Sequence, residues 1–309
     1  MSLGLGNDEL LSRFDSLVAN GIITHHPSRV TEFEQKGFRF RYEVTNSLAG
    51  KKAAELAFIV PELREQSNSR PGTPPQTFGP GSDIGNAHPD LLVSTINDTH
   101  LVVMNKFPVF RPQLLLLTID SFQRQHQPLS LADLQAAWTL LASTGNRFYV
   151  MFNGGFTAGA SRHHKHLQVL PHPDAPGLDM SWWGLFPDRE QAMPVSSVPF
   201  IHFLHRFSKP AVTALEVFDV YLRFLGDRRH VLALPDDQVE VPHNVVITKR
   251  WIVVIPRSKE NIDGTTANSA GMMGSVWLNN EQQLEKWIAQ GPSWVLSQLG
   301  LSAGELPTT

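Results

Sequence analysis

The stretch His164-Lys165-His166-Leu167-Gln168-Val169 tolerates few architectures. In an extended strand, successive side chains point to opposite faces. His164, His166 and Gln168 then share one face, and Lys165, Leu167 and Val169 the other. Leu167 and Val169 suit a core. Three hydrogen-bonding groups at strict period two make a poor core face and a good pocket wall. The strand is therefore expected to run between a hydrophobic layer and a cavity.

The residues before it, Asn153 to Arg162, supply an adaptable backbone. Gly154, Gly155 and Gly159 let main-chain N–H groups approach a ligand, Ser161 adds a hydroxyl and Arg162 a cation. Amides, a hydroxyl and imidazoles converging on one point suit a phosphate or a nucleotide. The Walker loop and the G-x-G-x-x-G fingerprint, the two commonest nucleotide solutions, are both absent. A neutral imidazole can attack an α-phosphorus and hold the nucleotidyl group covalently. Its other nitrogen then needs an acceptor that fixes the tautomer, often a backbone carbonyl. His166, central in the trio, is the expected nucleophile, with His164 and Gln168 donating to phosphoryl oxygens from either side. A His-x-His pair alone is more often a metal pair or a surface feature. A zinc site of His163, His164, His166 and His172 is the competing reading, although no acidic residue lies inside the motif. The glycine loop, serine, His-x-His and glutamine together favour catalysis, and no metal ligand set is assigned.

Composition narrows the classes further. The 309 residues contain no cysteine, which excludes disulfides, thiolate metal sites and cysteine nucleophiles. A hydrophobic share of 41% supports a large core. The net charge of -3 argues against an extended nucleic-acid surface. The first residues lack the apolar run of a signal peptide. The longest apolar runs, Leu114–Leu117 and Ile252–Ile255, are far short of the roughly 20 residues that span a bilayer. A soluble, cytoplasmic protein with no membrane or nucleic-acid partner is expected.

Periodicity predicts a helix over Asp8–Asn20 and a strand over Phe38–Val44. Gln66–Pro89, rich in Pro, Gly, Ser and Asn, reads as a long loop of the kind that can lie over an active site. Strands follow at Leu101–Met104 and Leu114–Thr118, then a helix capped by Ser130 with Asp133 three residues on, ending at Gly145. Further strands are expected at Phe148–Phe152 and His164–Leu170, and a helix over Lys209–Leu225 stopped by Gly226. A hairpin joins Val245–Ile247 to Trp251–Ile255, and helices near Glu281–Ala289 and Pro292–Leu299 close the chain. No regular βαβ rhythm appears, which favours α+β with a largely antiparallel sheet.

Ser161 to Gln168 resembles the histidine triad superfamily, in the transferase branch where Gln replaces the last His. The whole chain resembles the diadenosine tetraphosphate phosphorylases, or ATP adenylyltransferases. Ser47-Leu48-Ala49-Gly50-Lys51 is similar to that family's lysine motif, and Leu101 to Val109 to its Asn-Lys-Phe-Pro segment. Asn153 to Gln168 matches the catalytic block. Asn244 to Trp251, Pro256-Arg257-Ser258 and Asn268-Ser269-Ala270-Gly271 match a C-terminal block. The blocks keep family order and span most of the chain.

The resemblance implies a histidine-triad-like antiparallel sheet with flanking helices, enlarged by N- and C-terminal segments. It implies one elaborated catalytic domain over 1–309, with a core of about 95–175 plus 240–280, an N-terminal segment 1–65 and a long loop 66–90. It implies a nucleotidyltransferase in which phosphate splits diadenosine tetraphosphate into ATP and ADP through an adenylyl-His166 intermediate. Gln168 would bind the phosphoryl group. Asn153, Gly159, Ala160, Ser161 and Arg162 fall on nucleotide-contact positions, and Lys51, Asn105 and Lys106 on further polar contacts. Asn268, Ser269, Ala270, Ser275 and Asn279 align with a C-terminal contact region. Partners would be the dinucleotide, ATP, ADP, AMP and phosphate, with no covalent cofactor; whether Mg²⁺ is required or merely accompanies the polyphosphate stays open.

Asn244 is otherwise expected to cap the start of its strand, His202 to be a satisfied core histidine, and Trp138 and Trp251 to be core residues. A dinucleoside polyphosphate hydrolase, a uridylyltransferase and a non-catalytic nucleotide sensor remain as alternatives. Lys165 and Leu167 depart from the Pro and Gly of uridylyltransferases. Lys52-Ala53 after Lys51, Arg162-His163 before His164 and the long loop depart from the phosphorylase pattern, leaving the preferred dinucleotide and the acceptor anion open.

Overall fold

The computed structural model describes residues 6–48, 77–85, 87–173, 185–189, 197–208, 212–231 and 241–302. Helix α1 (Asn7–Ala19) buries Leu10, Phe14 and Leu17 along one stripe. Strands β1 (Arg29–Gln35) and β2 (Phe38–Val44) form a hairpin turning at Lys36 and Gly37, both at positive φ. A meander follows: β3 (Leu92–Ile96), β4 (His100–Met104) and β5 (Leu114–Thr118). Helix α2 (Leu131–Thr144) opens with the expected capping box, Ser130 and Asp133 each accepting from the other's backbone N–H. Gly145, at φ 67, ends it.

Next come β6 (Phe148–Gly154), β7 (His166–Pro171), the short α3 (Phe186–Arg189) and β8 (Phe203–Arg206). Helix α4 (Ala214–Val231) leads to the hairpin β9 (His243–Ile247) and β10 (Trp251–Pro256). The chain closes with α5 (Ser269–Met272), β11 (Ser275–Leu278), α6 (Glu281–Gln290) and α7 (Pro292–Leu299).

Eight strands form one sheet in the order β3-β4-β5-β7-β6-β9-β10-β8, each antiparallel to its neighbours. A smaller sheet has the order β1-β2-β11, with β11 parallel to β2. Alternation along the strands sorts the core into two layers. Phe148, Val150 and Phe152 of β6 pack with α1, α2 and α4, while Tyr149 and Met151 pack with the small sheet, α6 and α7. The fold is thus α+β and largely antiparallel, as the patterning indicated. Among the described residues, no helix is long and apolar enough to cross a membrane.

Some boundaries differ from the sequence reading. Strand β7 begins at His166, and His164 makes only an isolated bridge with Arg124. The backbone there pairs with 123–125 instead: Lys165 N–H donates to Gln123 O, and Gln125 N–H to His163 O. Lys209 and Pro210 lie outside the described residues. Helix α4 starts instead at a Thr213–Glu216 capping pair and continues through Gly226 to Val231. A lone glycine costs a helix about 1 kcal/mol relative to Ala, which the packing of Tyr221 and Phe224 offsets. Strands β1, β3, β8 and β11 were not anticipated. Each is a sheet edge, where an open flank leaves little apolar pattern to read.

Candidate active site

Strand β7 pairs with β5 so that His166 lies opposite Leu117 and Gln168 opposite Leu115. Leu167 and Val169 enter the core beneath α2 and α4, and Leu170 enters the layer of the small sheet. His166 and Gln168 share the parity of Leu170 and so face that second layer.

On the other flank, β6 pairs with β7 from Phe148↔Pro171 to Met151↔Gln168, and the ladder then stops. Gln125 fills the gap. Its Oε1 accepts from the His166 N–H at 2.8 Å, and its Nε2 donates to the Asn153 carbonyl (3.0 Å) and the His166 carbonyl (2.9 Å). The buried Gln125 amide thereby replaces ladder bonds that the splayed strands cannot make to each other. Nothing in the local sequence marked it.

The nucleophile expected from the sequence has the required tautomer. His166 Nδ1 lies 2.8 Å from the His164 carbonyl, which can only accept. Nδ1 therefore carries the proton and Nε2 the lone pair. His164 is fully buried, and both of its ring nitrogens have protein partners. Nε2 donates to the Thr118 carbonyl at 2.9 Å, and Nδ1 accepts from the Ser82 hydroxyl at 2.7 Å. Burial holds this imidazole below its ordinary pKa despite the Thr118 carbonyl. The sequence reading had His164 donating to phosphoryl oxygens. In this geometry it acts on His166 through its backbone carbonyl instead.

Gln168 Oε1 accepts from Gln113 Nε2 at 2.8 Å, so its own Nε2 remains the donor end. Gln113 also accepts from the Val109 N–H and, through its backbone carbonyl, from the Asn105 N–H. The Asn105-Lys106-Phe107-Pro108 turn is thus tied to the Gln168 end of the strand. Asn105 Oδ1 accepts from the Phe107 N–H at 3.0 Å. Lys106 is half-buried, and that burial lowers its pKa.

Asn153, at the end of β6, gathers the C-terminal residues. Its Oδ1 accepts from Ser269 N–H (2.8 Å), Ser269 Oγ (2.6 Å) and Asn244 Nδ2 (3.0 Å). Asn244 does not cap its strand. It is buried within β9, donates also to the Ala158 carbonyl, and accepts from Arg257 at 2.7 Å. Arg257 places its donors on the carbonyls of Asn244, Ala267, Leu299 and Lys259, and burial lowers its pKa to about 9. The glycine loop presses on the same wall. Gly159 sits at φ 84, where a Cβ would come within 2.6 Å of the Ala267 carbonyl. Asn268 caps α5 by accepting from the Gly271 N–H, and Ser269 and Ala270 are fully buried. Asn153, Gly159, Asn268, Ser269 and Ala270 are therefore brought together.

Ala160, Ser161 and Arg162 follow this loop, half-buried, just before the histidines. Ser275 and Asn279 belong to the smaller sheet and its exit. Ser275 Oγ accepts from Trp277, the Asn279 N–H donates to Gln283, and Asn279 Oδ1 is buried without a partner. Lys51 lies outside the described residues. Trp251 is fully buried and Trp138 half-buried with its indole donating to Val212, as expected of core residues.

Known proteins share the sequence domains and the fold. Residues 9–180 match the Ap4A phosphorylase N-terminal domain, and 196–302 the ATP adenylyltransferase C-terminal domain. Protein APA1 of Saccharomyces cerevisiae is 28% identical over 225 residues, covering 64% of this chain and 67% of that protein. Diadenosine 5',5'''-P1,P4-tetraphosphate phosphorylase 2 of the same yeast is 28% identical over 239 residues, covering 67% and 72%. The crystal structure of yeast Ap4A phosphorylase Apa2 in complex with AMP superposes with a TM-score of 0.72 at 20% identity, covering 96% of this chain and 97% of that one. Apa2 in complex with Ap4A gives 0.70 at 20%, with the same coverage, so the fold is shared end to end. The buried Asn153–Ser269 and Asn153–Asn244 bonds join the two matched regions into one wall, and the chain belongs to the Ap4A phosphorylase family.

Proposed function

We propose that this enzyme carries out reversible phosphorolysis of Ap4A through His166. The observation that carries this reading is the hydrogen bond from His166 Nδ1 to the His164 carbonyl, which presents Nε2 with its lone pair. Nε2 attacks an α-phosphorus. The N–P bond forms as the P–O bond to the departing ATP breaks, and the bridging oxygen leaves with its electron pair. A phosphate oxygen then attacks the adenylyl phosphorus, the N–P bond breaks back to neutral imidazole, and ADP departs.

The donor end of Gln168 stabilises the charge that builds on the phosphoryl oxygens. Gly159, Ala160 and Ser161 shape the loop beside the α-phosphate, the Gly159 and Ala160 N–H groups being spent on the Phe156 and Gly155 carbonyls. Arg162, Lys106 and Lys51 offset the polyphosphate charge, and Asn105 orients it. Asn153 supports the site from within through Asn244 and Ser269. Mg²⁺ travels with the polyphosphate. The names and complexes of the yeast relatives support Ap4A and AMP as ligands.

The test is incubation with Ap4A, with and without phosphate, resolving products by chromatography. Phosphate-dependent formation of ATP and ADP is expected. Phosphate-independent release of AMP would replace this reading with hydrolysis.

A further inference from the structure

Segment 77–85 is a described part of the long loop, outside the sequence blocks that carried the resemblance. It is firmly seated. Thr77 and Gly85 close it with an antiparallel bridge, and the Thr77 hydroxyl donates to the Gly79 carbonyl at 2.9 Å. A Cβ at either Gly79 or Gly81 would meet Ser121 at 2.7 Å, so both glycines lie hard against the sheet's connecting loop. Gly81 N–H donates to Ser121 Oγ, and the Gly81 carbonyl accepts from Arg124.

The tip of this strap carries two side chains to the histidines. Asp83 accepts from the His163 N–H (2.7 Å) and from the His164 N–H (2.9 Å). Ser82, buried, donates to His164 Nδ1 at 2.7 Å. The Asp83 carboxylate is half-buried, which works to raise its pKa. The two amides and the charge of Arg162 outweigh burial and hold it below the ordinary value.

These contacts matter because the ladder of β7 has not yet begun at His164. The peptide unit bearing the His164 carbonyl is held on its far side, where the Lys165 N–H donates to Gln123 O. The other end of the residue, the His164 N–H of the preceding peptide and the ring, is held by Asp83, Ser82 and Thr118. We infer that Ser82 and Asp83 are positioning residues for adenylyl transfer, fixing the His164 peptide so that its carbonyl keeps the proton of His166 on Nδ1. The inference rests on His166 as the nucleophile. If the His164 peptide turns, the hydrogen bond to Nδ1 bends and weakens, and the competing tautomer places the proton on the attacking nitrogen.

The experiment combines ¹⁵N-histidine NMR with steady-state kinetics on Ser82→Ala, Asp83→Asn and a control, Thr77→Ala. The control loosens the strap's own turn without touching a histidine. His166→Ala identifies the His166 resonances. In the wild type the His166 proton should sit on Nδ1. In Ser82→Ala and Asp83→Asn the two tautomers should mix, and kcat for Ap4A should fall about ten- to a hundredfold. KM should hold in both variants. A merely structural strap would not shift the His166 tautomer. Thr77→Ala should keep both the tautomer and kcat.

A wild-type His166 tautomer in both strap variants overturns the inference, as does the same loss in Thr77→Ala. Should Asp83→Asn fail to fold, Ser82→Ala decides by the same criteria. If the tautomer responds as expected but the wild type does not turn over Ap4A, the positioning role stands and the phosphorolysis reading falls.

Discussion

Lys165 and His166 are adjacent in sequence and occupy opposite faces of the same extended segment. On the rear face, Lys165 Nζ lies 2.6 Å from Asp133 Oδ2 and donates to the Pro128 carbonyl. Asp133 also binds His100 at 2.9 Å and caps α2, and these partners outweigh its burial and hold its pKa at about 2. On the front face, His166 is oriented by neutral groups, the His164 carbonyl and the Gln125 amide. A carboxylate facing Nδ1 would favour the imidazolium, which cannot attack phosphorus. A carbonyl fixes the tautomer without attracting a second proton. Charges complete one another where rigidity is needed, and neutral dipoles serve where a lone pair must stay available.

If that division holds, substitutions on the two faces fail in different ways. His166→Ala should lower turnover by about four orders of magnitude or more. Its unfolding midpoint and AMP affinity, measured by denaturation and calorimetry, should stay near wild type. Substantial remaining turnover would remove the nucleophile from the front face. Lys165→Met strands the Asp133 charge and should cost about 3–5 kcal/mol in urea unfolding, with kcat per folded molecule nearly unchanged. Loss of kcat without loss of stability would erase the distinction.

The smallest effect is in acid. Because the folded pKa of Asp133 is depressed, its contribution is present above the ordinary carboxylate range and lost as pH falls from about 4 to about 2. About 2 kcal/mol should disappear over that window in pH-dependent unfolding. The front face responds in a different window. His164 is also depressed, so its contribution fades as pH falls below the ordinary histidine value toward its lowered one. A stability curve flat from neutrality to pH 4 would contradict the buried, neutral His164.

Much of this was legible locally. Strands β2 and β5, the β9–β10 hairpin, the α2 capping box and the alternation from Leu167 onward are short-range patterns, and the structure follows them. The His166 tautomer was also foreseeable, since its partner is two residues away. The residues missed act at long range. Gln125 reaches His166 across 41 residues, Ser82 reaches His164 across 82, and Asn244 reaches Asn153 across 91. A polar side chain in a loop looks the same from sequence whether it meets water or an orphaned backbone amide. Arg257 was legible only as part of a sequence block, and it is the fold that encloses it.

The seam between β6 and β9 has a consequence for how the chain is made. Strand β6 is buried along its whole length, with β7 on one edge and β9 on the other. β7 follows soon after β6 leaves the ribosome, but Asn244 is translated 91 residues after Asn153. At usual elongation rates the second edge stays open for about 5 to 20 s. An apolar strand with an unpaired edge can recruit a neighbouring nascent chain. The C-terminal hairpin therefore also serves as the cover that ends this period, and a chain cut before β9 would carry the hazard permanently.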